Sequence, residues 1–375
     1  MNKTILFYIF SSSWGGAENY LLSLLRYLEK SGKVTARVYG NEYVIKQFQK
    51  YGDDIPSAEL VSIGGFSLPK FRPFRICKKV YNYFLGGWRL SRFLKHEEGQ
   101  TINTHLQVAL WTFWIAKLFG APLHSMEKVL TFHYWEIEHI MKKPKLFWFS
   151  RQMVKSMDKY IFLHEDTLRW GKELDLIKDD NAIRTNLAVD TSRFVPEKKI
   201  PHRISYVARM IQVKHPEFAI EALPLILEQI PEVHLDMIGD GVLLPAMKQR
   251  AKELGVESAI TFYGAIDDVA PIIKQSEVYL SLLDYDNYES VATKEAIAAG
   301  NVVMSFDLEG SKNIREYKLG ALVPMGDVAA LAASTIKILQ QRDLLAGWSE
   351  KNQKFAREKF DNAVLFASYV DFLQK

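Results

Sequence analysis

Between Val278 and Phe306 the chain leaves few choices of fold. An apolar run, Val278 to Leu283, passes into a polar acidic loop and then into a helical pattern ending at Gly300. A second apolar run, Val302 to Phe306, follows at once. Short continuous apolar runs bounded by turn residues read as strands buried on both faces, and a helix between two of them makes a parallel crossover. Open sheets of this kind gather ligands outside the carboxyl ends of their strands. Ser290, Val291 and Ala292, at the start of the helix, therefore stand where backbone N–H groups can face an anion such as a phosphate. An ordinary acidic loop capping a helix is the plainer reading of the same residues.

The alternation recurs along the chain. Thr4–Phe10 reads as a strand, Gly15-Gly16 as a tight turn, and Ala17–Lys30 as a helix with an apolar stripe of Leu21, Leu22, Leu24, Leu25 and Leu28. Without a G-x-G-x-x-G pattern, the glycine pair gives no dinucleotide site. Further strands read at Val34–Tyr39, at Thr101–His105, at Lys128–Phe132 just before His133, and at Lys159–Leu163. The polar stretch Asp190 to Ile200 reads as a linker. Beyond it come strands Arg203–Val207, His234–Ile238 running into Gly239-Asp240-Gly241, and Ala259–Phe262, with helices Pro216–Glu228 and Leu243–Leu254. The expected fold is α/β, with two doubly wound, Rossmann-like domains facing a cleft. Their bounds are set at 1–195 and 196–355, with a last helix, 356–375, crossing back to the first domain.

Cys77 is the single cysteine, which excludes an intramolecular disulfide and any multi-cysteine metal site. The chain has no apolar run long enough for a membrane span and no cleavage pattern after Thr4–Phe10, so a cytoplasmic location is expected. Charge is unevenly shared. Residues 1–200 carry 30 Lys+Arg against 20 Asp+Glu, whereas residues 201–375 carry 18 against 24, so the first half is the one expected to face something anionic. Phe66 to Lys95 contains no acidic residue. Its cations Lys70, Arg72, Arg75, Lys78, Lys79, Arg89, Arg92 and Lys95 are interleaved with Phe66, Phe71, Phe74, Tyr81, Tyr83, Phe84, Trp88 and Phe93. Cations for head groups and rings for the lipid boundary predict an anionic membrane surface as partner, at the inner face of the cell membrane. Nucleic acid stacking on the aromatics is a competing reading, set aside because no nucleic-acid-binding fold accompanies the patch; a solvated face over an aromatic core is the third. Lys142, Lys143, Lys145, Arg151 and Lys155 around Phe147-Trp148-Phe149 repeat the theme.

Arg209 and Lys214 follow the strand Arg203–Val207 and precede a helix, a place where two cations can hold a diphosphate or merely sit on the surface. His105 and His133 each stand at the carboxyl end of a strand, where either a structural or a functional role is open. Several motifs in order then carry a resemblance. These are Gly15-Gly16-Ala17-Glu18, the run Thr185 to Phe194, Val207-Ala208-Arg209 with Lys214, Ile238-Gly239-Asp240-Gly241, and Lys294-Glu295-Ala296-Ile297-Ala298-Ala299-Gly300. Over nearly its whole length the chain resembles the family-four glycosyltransferases of the GT-B fold.

The resemblance implies a retaining hexosyltransferase, independent of any metal or other cofactor. It would move a sugar from a nucleoside-diphosphate sugar, UDP-linked, to a lipid-linked or cell-surface glycan held by the first domain. By the same resemblance Arg209 and Lys214 clamp the donor diphosphate, Glu295 accepts hydrogen bonds from the ribose, and His133 lies near the donor sugar and acceptor. Gly16 and the N–H groups of Ser290, Val291 and Ala292 approach the phosphates. One departure stands out. The family pairs two glutamates eight positions apart, and eight before Glu295 this chain has Asn287, with Glu289 two residues on. Asparagine can bond sugar hydroxyls but brings no negative charge to an oxocarbenium-like centre. Asn287 therefore leaves open altered donor choice, substitution by Glu289, weak activity, or a non-catalytic sugar-nucleotide or glycan-binding partner subunit. A UDP-sugar epimerase of the same fold is a further alternative. Asp284-Tyr285-Asp286 resembles a metal-binding pair of another glycosyltransferase fold and is read as loop.

Overall fold

The computed structural model describes residues 3–11, 16–64, 74–97, 100–105, 107–133, 148–178, 180–195, 197–284 and 290–375; the side chains of 74–80, 82, 107, 108 and 309 lie outside that description. Packing divides the chain into two compact units, Met1–Ala188 with Asn362–Lys375, and Val189–Asp361.

In the first unit the described strands are β1 (Lys3–Ile9), β2 (Val34–Gly40), β3 (Glu59–Ser62), β4 (Thr101–His105), β5 (Glu127–Phe132), β6 (Lys159–Phe162) and β7 (Ala182–Arg184). They form one parallel sheet in the order β3-β2-β1-β4-β5-β6-β7. Helices α1 (Gly16–Ser31), α2 (Glu42–Tyr51), α3 (Phe74–Leu94), α4 (Gln107–Leu118), α5 (Trp148–Lys155) and α6 (Glu165–Glu173) connect them. The run Ile5 to Ile9 is wholly buried because β1 is central and covered on both faces. Strand residues alternate between two cores. Leu6, Tyr8, Ile102 and Leu130 join one, and Ile5, Phe7, Ile9 and Val129 join the other, under the leucine stripe of α1.

The second unit has β8 (Arg203–Val207), β9 (His234–Ile238), β10 (Ile260–Gly264), β11 (Val278–Ser281), β12 (Val302–Phe306) and β13 (Gly320–Val323), in the order β10-β9-β8-β11-β12-β13. Its helices are α7 (Pro216–Leu227), α8 (Leu244–Glu253), α9 (Ala270–Gln275), α10 (Val291–Ala298), α11 (Lys312–Tyr317), α12 (Val328–Gln340) and α13 (Arg342–Lys359). This strand order is that of the doubly wound dinucleotide-binding fold, with its switch point between β8 and β11. A last helix, α14 (Asn362–Gln374), belongs to the first unit. Both units are Rossmann-like.

The sequence reading passes over β3, β7 and β13, which lie at sheet edges and are only three or four residues long; β3 and β7 carry two apolar residues each. Nor is the stretch 190–200 simply a linker. Asp190 caps a turn, Thr191–Phe194, and Phe194 is buried with Tyr279, Ala296 and Ile297 in the second unit, so the change of unit falls at 188/189.

Candidate active site

Three loops at the carboxyl ends of β8, β9 and β11 build the candidate site of the second unit. The turn after β9 braces the loop after β8. Ala208 N–H donates to the Ile238 carbonyl at 3.1 Å, and Met210 N–H donates to the Asp240 carbonyl at 2.9 Å. This approach requires Gly239 and Gly241, at φ +131° and +154°. A Cβ on Gly239 would lie 1.9 Å from the Ala208 carbonyl oxygen, and one on Gly241 would lie 2.4 Å from that of Met210. Arg209 is carried between the two contacts. Its side chain is exposed and has no hydrogen bond or ion pair among the described residues. Farther along the loop the Tyr206 hydroxyl donates to the Lys214 carbonyl at 2.7 Å and fixes the backbone from which the half-buried Lys214 extends.

His215 comes next, in the left-handed region at φ +46°. Its Nδ1 lies 2.7 Å from Glu217 Oε1 and its Nε2 3.0 Å from Asp284 Oδ2, while its ring stacks on Phe218. The imidazole thus ties the β8 loop to the end of β11, across the switch point. Sequence reasoning missed this pairing, because Asp284 is read there only as a loop residue, 69 positions away.

Ser290 starts α10 by accepting the Thr293 N–H at 3.2 Å. The helix ends on a paired turn, with Gly300 N–H to the Ile297 carbonyl at 3.0 Å and Asn301 N–H to that of Ala296 at 2.9 Å. Gly300 takes the positive φ, +77°, that this ending needs. Glu295 is one turn into α10. Burial pushes its carboxyl up to about 7, which the Arg193 guanidinium partly offsets and Asp268 reinforces. Arg193 and Asp268 pair with each other at 2.9 Å. Asn287 and Glu289 lie outside the described residues. Among the described residues no group of three or more His, Cys, Asp or Glu is arranged to hold a metal ion.

Gly16 and His133 belong to the first unit. Gly16 opens α1, and a Cβ there would meet nothing within 4 Å. His133 follows β5 directly, with its Nε2 3.2 Å from Nδ1 of His105 at the end of β4. Burial lowers the His133 ring to about 4; burial, then the neighbouring His133, holds His105 well below the ordinary range. Tyr20 of α1 meets His133 edge-on at 5.8 Å. Two residues before each histidine, Asn103 and Thr131 bond the Tyr369 hydroxyl of α14 at 2.7 and 2.8 Å.

Of the basic, aromatic segment, Lys70 and Arg72 lie outside the described residues, as do the side chains of Arg75, Lys78 and Lys79. Farther along α3, Tyr81, Phe84, Trp88 and Phe93 are exposed, and Arg92 lies over Trp88 at 4.8 Å. Arg89 turns inward, donating to the Ile63 carbonyl at 3.2 Å. Among the described residues no helix is long and apolar enough to cross a membrane.

Residues 14–193 match the family described as Glycosyltransferase Family 4, and residues 201–341 that described as Glycosyl transferases group 1. The chain is 24% identical over 207 residues to the lipopolysaccharide core biosynthesis glycosyltransferase LpsE of Rhizobium meliloti, covering 55% of this chain and 59% of that one. It is 23% identical over 244 residues to the putative glycosyltransferase EpsD of Bacillus subtilis, covering 57% and 64%. The match therefore spans about three fifths of the length of these relatives. Anabaena HepE, solved with UDP and glucose, superposes over 100% of both chains with a TM-score of 0.74 at 15% identity. WaaG, a glycosyltransferase involved in lipopolysaccharide biosynthesis, covers 98% of this chain and 99% of its own with a TM-score of 0.68 at 15% identity. At that identity the superpositions speak for the fold. The two sequence matches together take in most of the chain, which belongs to the family-four glycosyltransferases and has their GT-B fold.

Proposed function

We propose that the chain is a retaining, metal-independent glycosyltransferase that moves a sugar from a UDP-sugar to a lipid-linked or cell-surface glycan. The observation that carries this reading is the pair Arg209 and Lys214 on one loop at the β8/β11 switch point, braced by Gly239 and Gly241. The loop holds both cations beside the donor diphosphate, where they offset charge growing on the leaving group. Glu295 accepts hydrogen bonds from the ribose hydroxyls, and the N–H groups of Ser290, Val291 and Ala292 and of Gly16 approach the phosphates. His133 lies by the donor sugar, and Asn287 or Glu289 contacts it. Two kinds of neighbour support the donor and acceptor classes: HepE is solved with UDP and glucose, and LpsE is named for lipopolysaccharide core biosynthesis. A thermal-shift screen against nucleotide sugars tests the donor class, since a ligand bound only by the folded state raises its melting point. Asn287 favours a second reading, a partner subunit that binds the donor without turnover. UDP release by the purified chain separates the two.

Glu295 gives this reading a pH signature. An ionised carboxyl is a pure acceptor, so donor affinity should rise as pH passes upward through about 7. Stability moves the other way. A carboxyl raised above its ordinary value contributes most below that value and loses the contribution as pH climbs through about 7. Glu295→Gln should therefore melt higher than the unaltered chain at pH 8 yet bind UDP-glucose more weakly. A variant melting at or below the unaltered chain at pH 8 would rule out the raised carboxyl.

The basic, aromatic segment 66–95 rests on an anionic membrane in this reading, placing the enzyme at the inner face of the cell membrane. Each basic residue near such a surface contributes about 1 kcal/mol. The chain should float with vesicles containing phosphatidylglycerol and not with phosphatidylcholine alone. Charge reversal of Arg72, Arg75, Lys78 and Lys79 should abolish flotation, and Trp88→Ser should weaken it. Flotation that survives the reversal defeats the proposal.

A further inference from the structure

Parallel register sets His105 of β4 beside Thr131 of β5, so His133, two residues on, comes off the sheet next to the His105 ring. The contact is nitrogen to nitrogen, His105 Nδ1 to His133 Nε2 at 3.2 Å, and both residues are buried. One of these atoms must donate and the other accept. The far nitrogen of His105, Nε2, is buried without a hydrogen-bond partner among the described residues. Phe7 and Tyr20 supply rings beside the pair, 6.2 Å from His105 and 5.8 Å from His133.

A neutral imidazole carries one proton, on one nitrogen or the other. With the proton of His105 on Nε2, an N–H would be stranded in a dry, aromatic setting while Nδ1 accepted. With it on Nδ1, that N–H donates to His133 and only a lone pair is left unpaired, which buried sites tolerate better. His133 Nε2 is then the acceptor, and its own proton sits on Nδ1. Burial keeps both rings uncharged near neutral pH, so neither can donate from both nitrogens.

We propose that His105 is a positioning residue that holds His133 as its Nδ1–H tautomer, so that His133 offers the bound sugar a neutral N–H donor. The proposal rests on the reading that His133 lies at the donor sugar. It gives that residue a defined part: donating to a sugar oxygen rather than accepting a proton. The arrangement has the logic of a buried group fixing a histidine tautomer by occupying one of its ring nitrogens.

The test is a two-bond proton–nitrogen NMR spectrum of the full chain labelled with 15N-histidine at pH 7, with His133 assigned by its loss in His133→Asn. The expected result is an Nδ1–H pattern for His133. His105→Leu, which cannot donate, should shift His133 toward the Nε2–H form and lower UDP release from UDP-glucose by up to ~100-fold, the scale of a small misplacement at a reacting centre. His105→Asn, whose amide can donate to the same nitrogen, should keep the Nδ1–H pattern and most of the turnover. An Nε2–H pattern for His133 in the unaltered chain overturns the assignment even if both variants misfold, and so does an unchanged His133 signal in folded His105→Leu. UDP release by His133→Asn reports separately on the placement at the sugar: unchanged release overturns the donated contact, whatever tautomer the spectrum shows.

Discussion

Arg209→Ala should lower kcat/KM for UDP-sugars on the order of 10²–10³-fold, about 3–4 kcal/mol of barrier, with Lys214→Ala close behind. The effect falls chiefly on kcat, because charge on the leaving diphosphate is greatest in the transition state. No intramolecular partner among the described residues uses the Arg209 side chain, so its removal should leave the fold intact and the melting temperature nearly unchanged. Arg209→Lys should recover only part of the loss, since an ammonium lacks the planar fork that meets two phosphate oxygens at once. The double variant should cost less than the sum of the singles, because both cations act on one anion. UDP release under saturating and limiting UDP-glucose separates kcat from KM. Turnover of every accepted donor unchanged in Arg209→Ala removes the diphosphate assignment.

The largest stability effect is expected at Gly239. Alanine there needs a left-handed φ of +131° and drives a methyl to 1.9 Å from a backbone oxygen that has no flexible end to yield. Conformational strain and overpacking each cost about 1–3 kcal/mol, so Gly239→Ala should lose roughly 2–5 kcal/mol. In a unit of this size that is about 5–15 °C of melting temperature, read by calorimetry. Gly241→Ala should follow the same course against the Met210 carbonyl. Gly347 supplies the control. It lies within α13, a Cβ there would meet nothing within 4 Å, and Gly347→Ala should stabilise by about 0.5–1 kcal/mol. If Gly239→Ala melts with the unaltered chain, the brace beneath Arg209 is not as close as described.

The parts of this fold visible in the sequence are those where one residue's surroundings are set by its neighbours in the chain. Thr101–His105, Arg203–Val207, His234–Ile238 and Val302–Phe306 match their strands to the residue, and all four are inner parallel strands buried along most of their length. Gly320–Val323 sits at a sheet edge in a short apolar stretch closed by Pro324, and its parallel pairing with β12 identifies it as a strand. The same division governs the site. Arg209 and Lys214 are read as candidates from their place between a strand end and a helix start, and Glu295 from the resemblance alone. The contacts of His215 with Asp284, and of His105 with His133, depend on which strands are neighbours. Chain spacing does not contain that information, because β8 lies beside β11 and not beside β10.

Residue Asn362 onward is made after every strand of both sheets, yet α14 belongs to the first unit. There Phe366, Tyr369 and Val370 fill the core below α1, the Lys3 ammonium reaches the Leu373 carbonyl at 2.9 Å, and Tyr369 closes the Asn103–Thr131 network under the two histidines. A chain emerging from the ribosome can therefore finish its second unit while the first still lacks a wall of its core. Folding of the earlier-made half is completed by the later-made end, so the histidine floor is assembled last, after residues 362–374 have been released from the exit tunnel.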